Sequence, residues 1–233
     1  MGAGGGIGGA FTEILAGDPA VGRLDAFARG PIQVEAAKLR AHHLDLDDEA
    51  SLDAMAAVLG EGEPLDLVIV ATGLLHGPDG FAPEKTWRQL ERERLLRSFA
   101  VNAVGPALVA KRVLPLLRRD GKAVFAALSA RVGSIEDNQL GGWYAYRASK
   151  AALNQLLRTL SIELARRAPE AVCVGLHPGT VETNLSAPFR SGVAADKLFE
   201  PSFAAARLLS VLDGLTAADT GGLFAWDGQR LPF

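Results

Sequence analysis

LDLVIVA, residues 65–71, carries apolar side chains without polar alternation. A strand with one face in water alternates, so this run belongs in the middle of a parallel sheet covered on both faces. Shorter apolar runs on either side extend the pattern: Arg23 to Ala28, Leu39 to Leu44, Lys122 to Ser129, Ala171 to Leu176 and Leu223 to Trp226. Helical periodicity separates them, beginning near Gly8, Asp48, Thr86, Trp143 and Pro201. Strands alternating with helices make βαβ units, and the expected fold class is α/β with a doubly wound parallel sheet. Gly105-Pro106 interrupts the long helical stretch from Trp87 to Leu117, which predicts a bend there.

The opening, MGAGGGIGGAF, reads in two glycine frames, Gly2/Gly6/Gly8 or Gly4/Gly6/Gly9. Either brings backbone close to a pyrophosphate at a helix N-terminus. Ile7, Phe11, Ile14 and Leu15 repeat at helical spacing, so a helix follows the glycines. The alternative is a flexible N-terminal tail. A Rossmann-type nucleotide turn normally leaves the end of a central strand, yet Met1 alone precedes Gly2. The first strand is therefore expected to be missing from the sheet. Adding about six apolar residues upstream is expected to raise thermal stability and cofactor affinity, since each buried side chain stabilises by roughly 1.5–3 kcal/mol.

The 233 residues suit one domain spanning 1–233. A net charge of -3 with no basic bias argues against nucleic acid as a partner. The single Cys173 sits in an apolar run as a small hydrophobe, and no intrachain disulfide is possible. His42, His43, His76 and His177 lack metal-ligand spacing, so no metal site is assigned. Uncharged apolar stretches such as LVIVATGLL fall short of the ~20 residues that span a bilayer, and a cytoplasmic location is expected.

Tyr146 and Lys150 lie four residues apart in WYAYRASKAAL, on one face of a helix. Moving a phenol from a pKa of ~10 to about 7 takes roughly 4 kcal/mol, part of which a fixed cation supplies. Alone, the pair more readily describes a surface lysine beside a half-buried tyrosine. Read together with the glycine turn, Asn102 in FAVNAVGP, Ser129 at a strand end and HPGTVET, it resembles the short-chain dehydrogenases/reductases over nearly the whole chain. SARVGSIEDNQLGGWYAYRASKAALNQ, LHPGTVETNL and FAWDGQRLPF look most like the branch of C-factor-type cell-signalling proteins and related carbonyl reductases.

The resemblance implies that Tyr146 exchanges a proton with a carbonyl or alcohol oxygen while hydride moves to or from a nicotinamide. It implies that Lys150 lowers the tyrosine pKa and holds the ribose. Asn102 would stabilise a helix break that relays protons through water, or would simply cap freed backbone groups. Tyr144 would line the pocket. The substrate-orienting serine falls on Ala130, leaving Ser129 and Ser134 as candidates to replace it; Ser129, at the strand's carboxyl end, is favoured. The usual Asn-Asn-Ala-Gly stretch reads VATG here, with Gly73 keeping the close approach.

Arg29 follows the second expected strand and would pair with a 2′-phosphate, so NADP(H) is preferred and NAD(H) is possible. Asp25 is the competing candidate. Asp45-Leu46 would contact adenine, while Asp47 or Asp48 caps the next helix. Pro178, Gly179, Val181 and Thr183 match the motif that meets nicotinamide and phosphates. A lid is expected over 184–200, carrying Leu185, Pro188, Phe189 and Gly192, and with Trp143 and Tyr144 it suits an uncharged or aromatic carbonyl. The helices Arg94–Leu117 and Tyr146–Arg166 are expected to pair subunits in a dimer or tetramer. A non-catalytic, dinucleotide-binding signalling or scaffold protein is the second reading. A methyltransferase is a third, and it leaves Tyr146 and Lys150 without a role.

Overall fold

The computed structural model describes residues 1–192 and 194–233. Its strands are β1 (Leu24–Ala28), β2 (Leu39–His43), β3 (Leu67–Val70), β4 (Val124–Leu128), β5 (Val172–His177), β6 (Thr180–Val181), β7 (Leu198–Phe199), β8 (Leu223–Ala225) and β9 (Arg230–Leu231). Its helices are α1 (Gly6–Gly17), α2 (Glu49–Gly60), α3 (Arg92–Phe99), α4 (Gly105–Val113), α5 (Tyr144–Leu164) and α6 (Pro201–Gly214). A five-stranded sheet runs β3-β4-β5-β8-β9, parallel except for its last pair. The short strands β6, β7 and β9 have no counterpart in the sequence reading; two residues each are too few to show a period.

β4 is buried at every position, and its side chains alternate between two cores. Phe125 and Ala127 join Leu52, Met55, Val109, Val113, Leu153 and Leu157 on one face. Ala126 and Leu128 join Phe11, Val174, Leu208 and Leu212 on the other. Helices on both faces explain why strands of this sheet read as unbroken apolar runs.

Helix starts follow local chemistry. Asp48, rather than Asp47, caps α2, its Oδ1 accepting from Ala50 N–H at 2.9 Å. The helix expected from Thr86 is corrected: Thr86 caps a single turn, Trp87–Gln89, and α3 starts at Arg92. The bend lies just before Gly105-Pro106, as one wide turn over Ala100–Val104 in which Gly105 N–H reaches back to Ala100 O. Pro106 has no N–H to give the carbonyl one turn earlier, so the ladder slips there. The run Arg92–Leu116, 25 residues, is long and apolar enough by length and composition to cross a membrane; the sequence reading counted uncharged stretches, and this run carries charged residues toward both ends. Val109, Ala110 and Val113 of that run are spent on the first core.

Among the described residues no strand lies between β1 and β3. β1 pairs only with β2 in a separate sheet. Met1 to Ala3 bridge the backbones of the two sheets: the Met1 ammonium donates to Ile69 O at 2.7 Å and Met1 O accepts from Ala71 N–H at 2.9 Å. Gly2 and Ala3 N–H donate to Phe27 O at 2.8 and 3.0 Å. Behind this bridge lies a cavity of about 550 Å³, walled by Phe11, Ala26, Phe27, Leu65, Val68 and Ile69. It has the place of a strand. Burial drives the Met1 amine from 8.0 down to about 5.

Candidate active site

Tyr146 and Lys150 occupy the first two turns of α5 and both are buried. Lys150 Nζ donates to Leu128 O, the last carbonyl of β4, at 2.7 Å. The same nitrogen lies 5.8 Å from the centre of the Tyr146 ring. Burial is the dominant influence on each: it pushes the phenol up to about 12 and the ammonium down to about 7. In the protein by itself, burial sets the direction of both shifts.

Asn102 lies in the wide turn before α4 and is fully enclosed. Its Oδ1 accepts from Leu74 N–H at 2.7 Å, and its Nδ2 donates to Leu74 O at 2.9 Å and Ser149 Oγ at 3.0 Å. The side chain ties the loop after β3 to α5, and those bonds occupy its amide. Gly73 is held at this junction: a Cβ there would sit 3.7 Å from Asn102 Oδ1 and 3.8 Å from Lys150 Nζ. Backbone rather than side chain therefore faces the lysine.

Both serine candidates are turned to structural work. Ser129 is buried and donates to Asn154 Oδ1 at 2.6 Å. Ser134, also buried, accepts from Asp137 N–H at 3.0 Å. Neither hydroxyl is directed by these bonds toward Tyr146, and position 130 offers only a methyl group.

In the glycine turn, Gly2, Gly6 and Gly8 are the positions where a side chain would not fit. Gly2 adopts φ +83°, and a Cβ on Gly8 would lie 2.0 Å from Gly2 O. A Cβ on Gly6 would strike Thr183 Cγ2 at 2.6 Å, so the start of α1 and the segment after β6 converge. Gly4 and Gly9 meet only ordinary contacts. Ile7 is half-buried against the second core. Thr72 Oγ1 is buried with no partner among the described residues, inside the VATG stretch where the sequence reading noted only a lost asparagine. An orphaned hydroxyl beside a backbone cradle fits a polar ligand.

Arg29 is exposed directly after β1 and makes no ion pair among the described residues. Asp25 is removed from contention, because it is held by Arg23 at 2.6 Å and His42 at 2.9 Å. Leu46 packs on Gly105, where a Cβ would meet Leu46 Cδ1 at 2.8 Å. Asp45 Oδ1 accepts from Asp47 N–H at 3.1 Å and shapes its own turn. Pro178 follows β5, Gly179 takes φ +77° against Phe199, and Val181 is buried in β6.

The 184–200 segment is anchored at its base by β6 pairing with β7. Arg190 bonds Glu182 at 2.9 Å and Thr183 O. Phe189 reaches Trp143 at 5.0 Å between ring centres and His76 at 6.0 Å. Val193, within the expected lid, lies outside the described residues. Glu84, Thr72 and His76 were missed by sequence reading; no local spacing links them to Tyr146.

A doubly wound sheet with a glycine turn opening α1, and a buried Tyr-Lys pair beside the end of its central strand, defines a dinucleotide-dependent oxidoreductase. Residues 1–194 match the family model for short chain dehydrogenase, and the chain belongs to that family of NAD(P)-dependent enzymes. It is 38% identical over 140 residues to C-signal of Myxococcus xanthus, covering 60% of this chain and 78% of that one. It is 31% identical over 189 residues to 1-hydroxy-2-glutathionyl-2-methyl-3-butene dehydrogenase of Rhodococcus sp. strain AD45, covering 81% and 77%. Among solved structures, NADPH-bound carbonyl reductase from chicken fatty liver superposes with a TM-score of 0.85 at 27% identity, covering 100% of this chain and 96% of that one.

Proposed function

We propose that the chain is an NADPH-dependent carbonyl reductase in which Tyr146 is the proton donor. The observation that carries this reading is the enclosed Tyr146–Lys150 pair facing the bare backbone of Gly73. A phenol held at about 12 by burial stays protonated throughout the neutral range. That is the state an acid needs when negative charge develops on a carbonyl oxygen. Lys150, anchored on Leu128 O, adds positive charge beside the phenol while it remains protonated. Asn102 fixes the loop carrying Gly73, so the space before Tyr146 keeps its shape.

Gly2, Gly6, Gly8, Thr72, Gly73, Gly179 and Thr183 would hold the dinucleotide, and when bound it supplies the hydride. Arg29, exposed at the end of β1 and without an ion pair among the described residues, suits a 2′-phosphate and supports NADPH over NADH. Charge-assisted bonds of this kind are worth about 1.5–3 kcal/mol. Arg29→Ala is therefore expected to weaken NADPH binding at least ~10-fold with NADH unchanged. Steady-state KM values for both cofactors test it, and equal effects on the two would reject the assignment.

Ala130 keeps a second reading in view, that of a dinucleotide-binding signalling or scaffold protein. Loss of one oxyanion donor commonly costs ~100-fold in rate. NADPH binding without oxidation across a broad carbonyl panel would favour it.

A further inference from the structure

We propose that Glu84 is a positioning residue that fixes Trp143 as one side of an aromatic wall selecting flat, aromatic carbonyl compounds. This deepens the carbonyl reductase reading and rests on it. Trp143 has φ 53° and ψ 43°, and among the described residues no other non-glycine residue has positive φ. A bulky side chain in that region costs about 1–3 kcal/mol and persists only where its surroundings impose it. Gly141 and Gly142, both at φ +64°, lead the chain into the turn. Arg147 Nε holds it by donating to Gly142 O at 3.0 Å.

Glu84 imposes the rest. Its backbone oxygen accepts from Trp143 N–H at 2.5 Å, and its Oε2 accepts from Ala145 N–H at 3.1 Å. The residue is only 3% exposed. Trp143 is the N-cap of α5 and has no side-chain oxygen for the first-turn N–H groups, so a carboxylate from the distant β3–α3 connection takes that place. Negative charge is also favourable at that end of the helix. One residue thus sets both the start of the helix that carries Tyr146 and the backbone twist that aims the indole.

The aimed ring completes a wall. Trp143 stands 6.2 Å from Tyr146 at 74° and 5.0 Å from Phe189 at 58°. Phe189 in turn meets His76 at 6.0 Å and 64°. His76 Nε2 lies 2.8 Å from Asn184 O, which ties the far side of the wall to the start of the lid segment. Rings presented at such tilted angles attract another ring edge-to-face, a preference worth about 0.5–1.5 kcal/mol beyond buried area.

The test compares benzaldehyde with cyclohexanecarbaldehyde, two aldehydes of similar size that differ in aromaticity, in steady-state reduction with NADPH. Trp143→Ala and Glu84→Ala are each expected to lower kcat/KM for benzaldehyde about 3- to 10-fold more than for the saturated analogue, mainly through KM. Glu84→Gln keeps an oxygen for Ala145 N–H and is expected to recover the preference. A merely structural Glu84 would depress both aldehydes equally, and that outcome, or an unchanged preference in Trp143→Ala, overturns the proposal. Turnover of neither aldehyde by the unmodified protein refutes the underlying reductase reading instead. The wall is then judged by binding in a Trp87→Phe, Trp226→Phe background, where benzaldehyde must quench Trp143 emission and Glu84→Ala must abolish the quenching; no quenching refutes the wall.

Discussion

Tyr146 and Lys150 stand buried together, and each is displaced toward its neutral form. Lys150 falls from 10.5 to about 7, so between those values the unfolded chain binds the proton that the folded one lacks. Stability therefore rises with pH across that window, by about 1.4 kcal/mol per unit. Tyr146 acts in the opposite sense above 10, where the unfolded phenol ionises first. Lys150→Met keeps the volume and removes the buried charge, so its melting temperature at pH 7.5 is expected to exceed that of the parent and to lose the rise between pH 7 and 9. Thermal unfolding across that range checks it; a lower melting temperature would contradict the dominance of burial. The Tyr-Lys pair was legible because four-residue spacing on a helix is a property of the chain itself. Its protonation was not, since burial depends on what tertiary structure places around it. The partners of Ser129 and Ser134, Asn154 Oδ1 and the Asp137 amide, were not legible for the same reason.

At the level of elements, the existence of β3 and the helix break at Gly105-Pro106 could be read directly, one from unbroken branched residues and one from a missing N–H; the central place expected for β3 is corrected, since it is the edge strand of the five-stranded sheet and β4 and β5 lie inside it. The Glu84 contact with α5 could not be read, because it joins residues far apart in sequence. The cavity between β1 and β3 is lined by side chains that are themselves buried, and the Met1 amine at its mouth is disfavoured as a cation. With the amine at about 5 in the folded chain and 8.0 as its ordinary value, stability is lost as pH falls through that interval. A version of the chain carrying about six β-branched apolar residues before Met1 is expected to melt at higher temperature, each buried side chain stabilising by roughly 1.5–3 kcal/mol. It is also expected to lose the acid-side decline. Identical melting curves for the two versions would show that the slot does not accept a strand.

At the scale of the molecule, the doubly wound sheet places most candidate residues on connections or element ends near the carboxyl edges of its strands, where such folds bind ligands. Outside that edge, α3 and α5 leave Leu96 and Ile162 exposed, and the turn between α3 and α4 leaves Val104 exposed. Leu114, Leu117, Leu160 and Leu164 line a cavity of about 340 Å³ at the ends of the α4–α5 pair. We propose that this face pairs with a second copy of the chain. Ile162→Glu is expected to shift the protein toward monomer in light scattering at micromolar concentration, whereas an unchanged mass would place the interface elsewhere. Proton donation by Tyr146 gives the fold, the lysine and the aromatic wall their common purpose. The direct measurement is absorbance-monitored NADPH oxidation with an aromatic aldehyde by the parent and by Tyr146→Phe, with NADPH affinity measured alongside. The predicted result is a loss of about 100-fold or more in kcat with NADPH affinity retained. Equal turnover by the two proteins would contradict it.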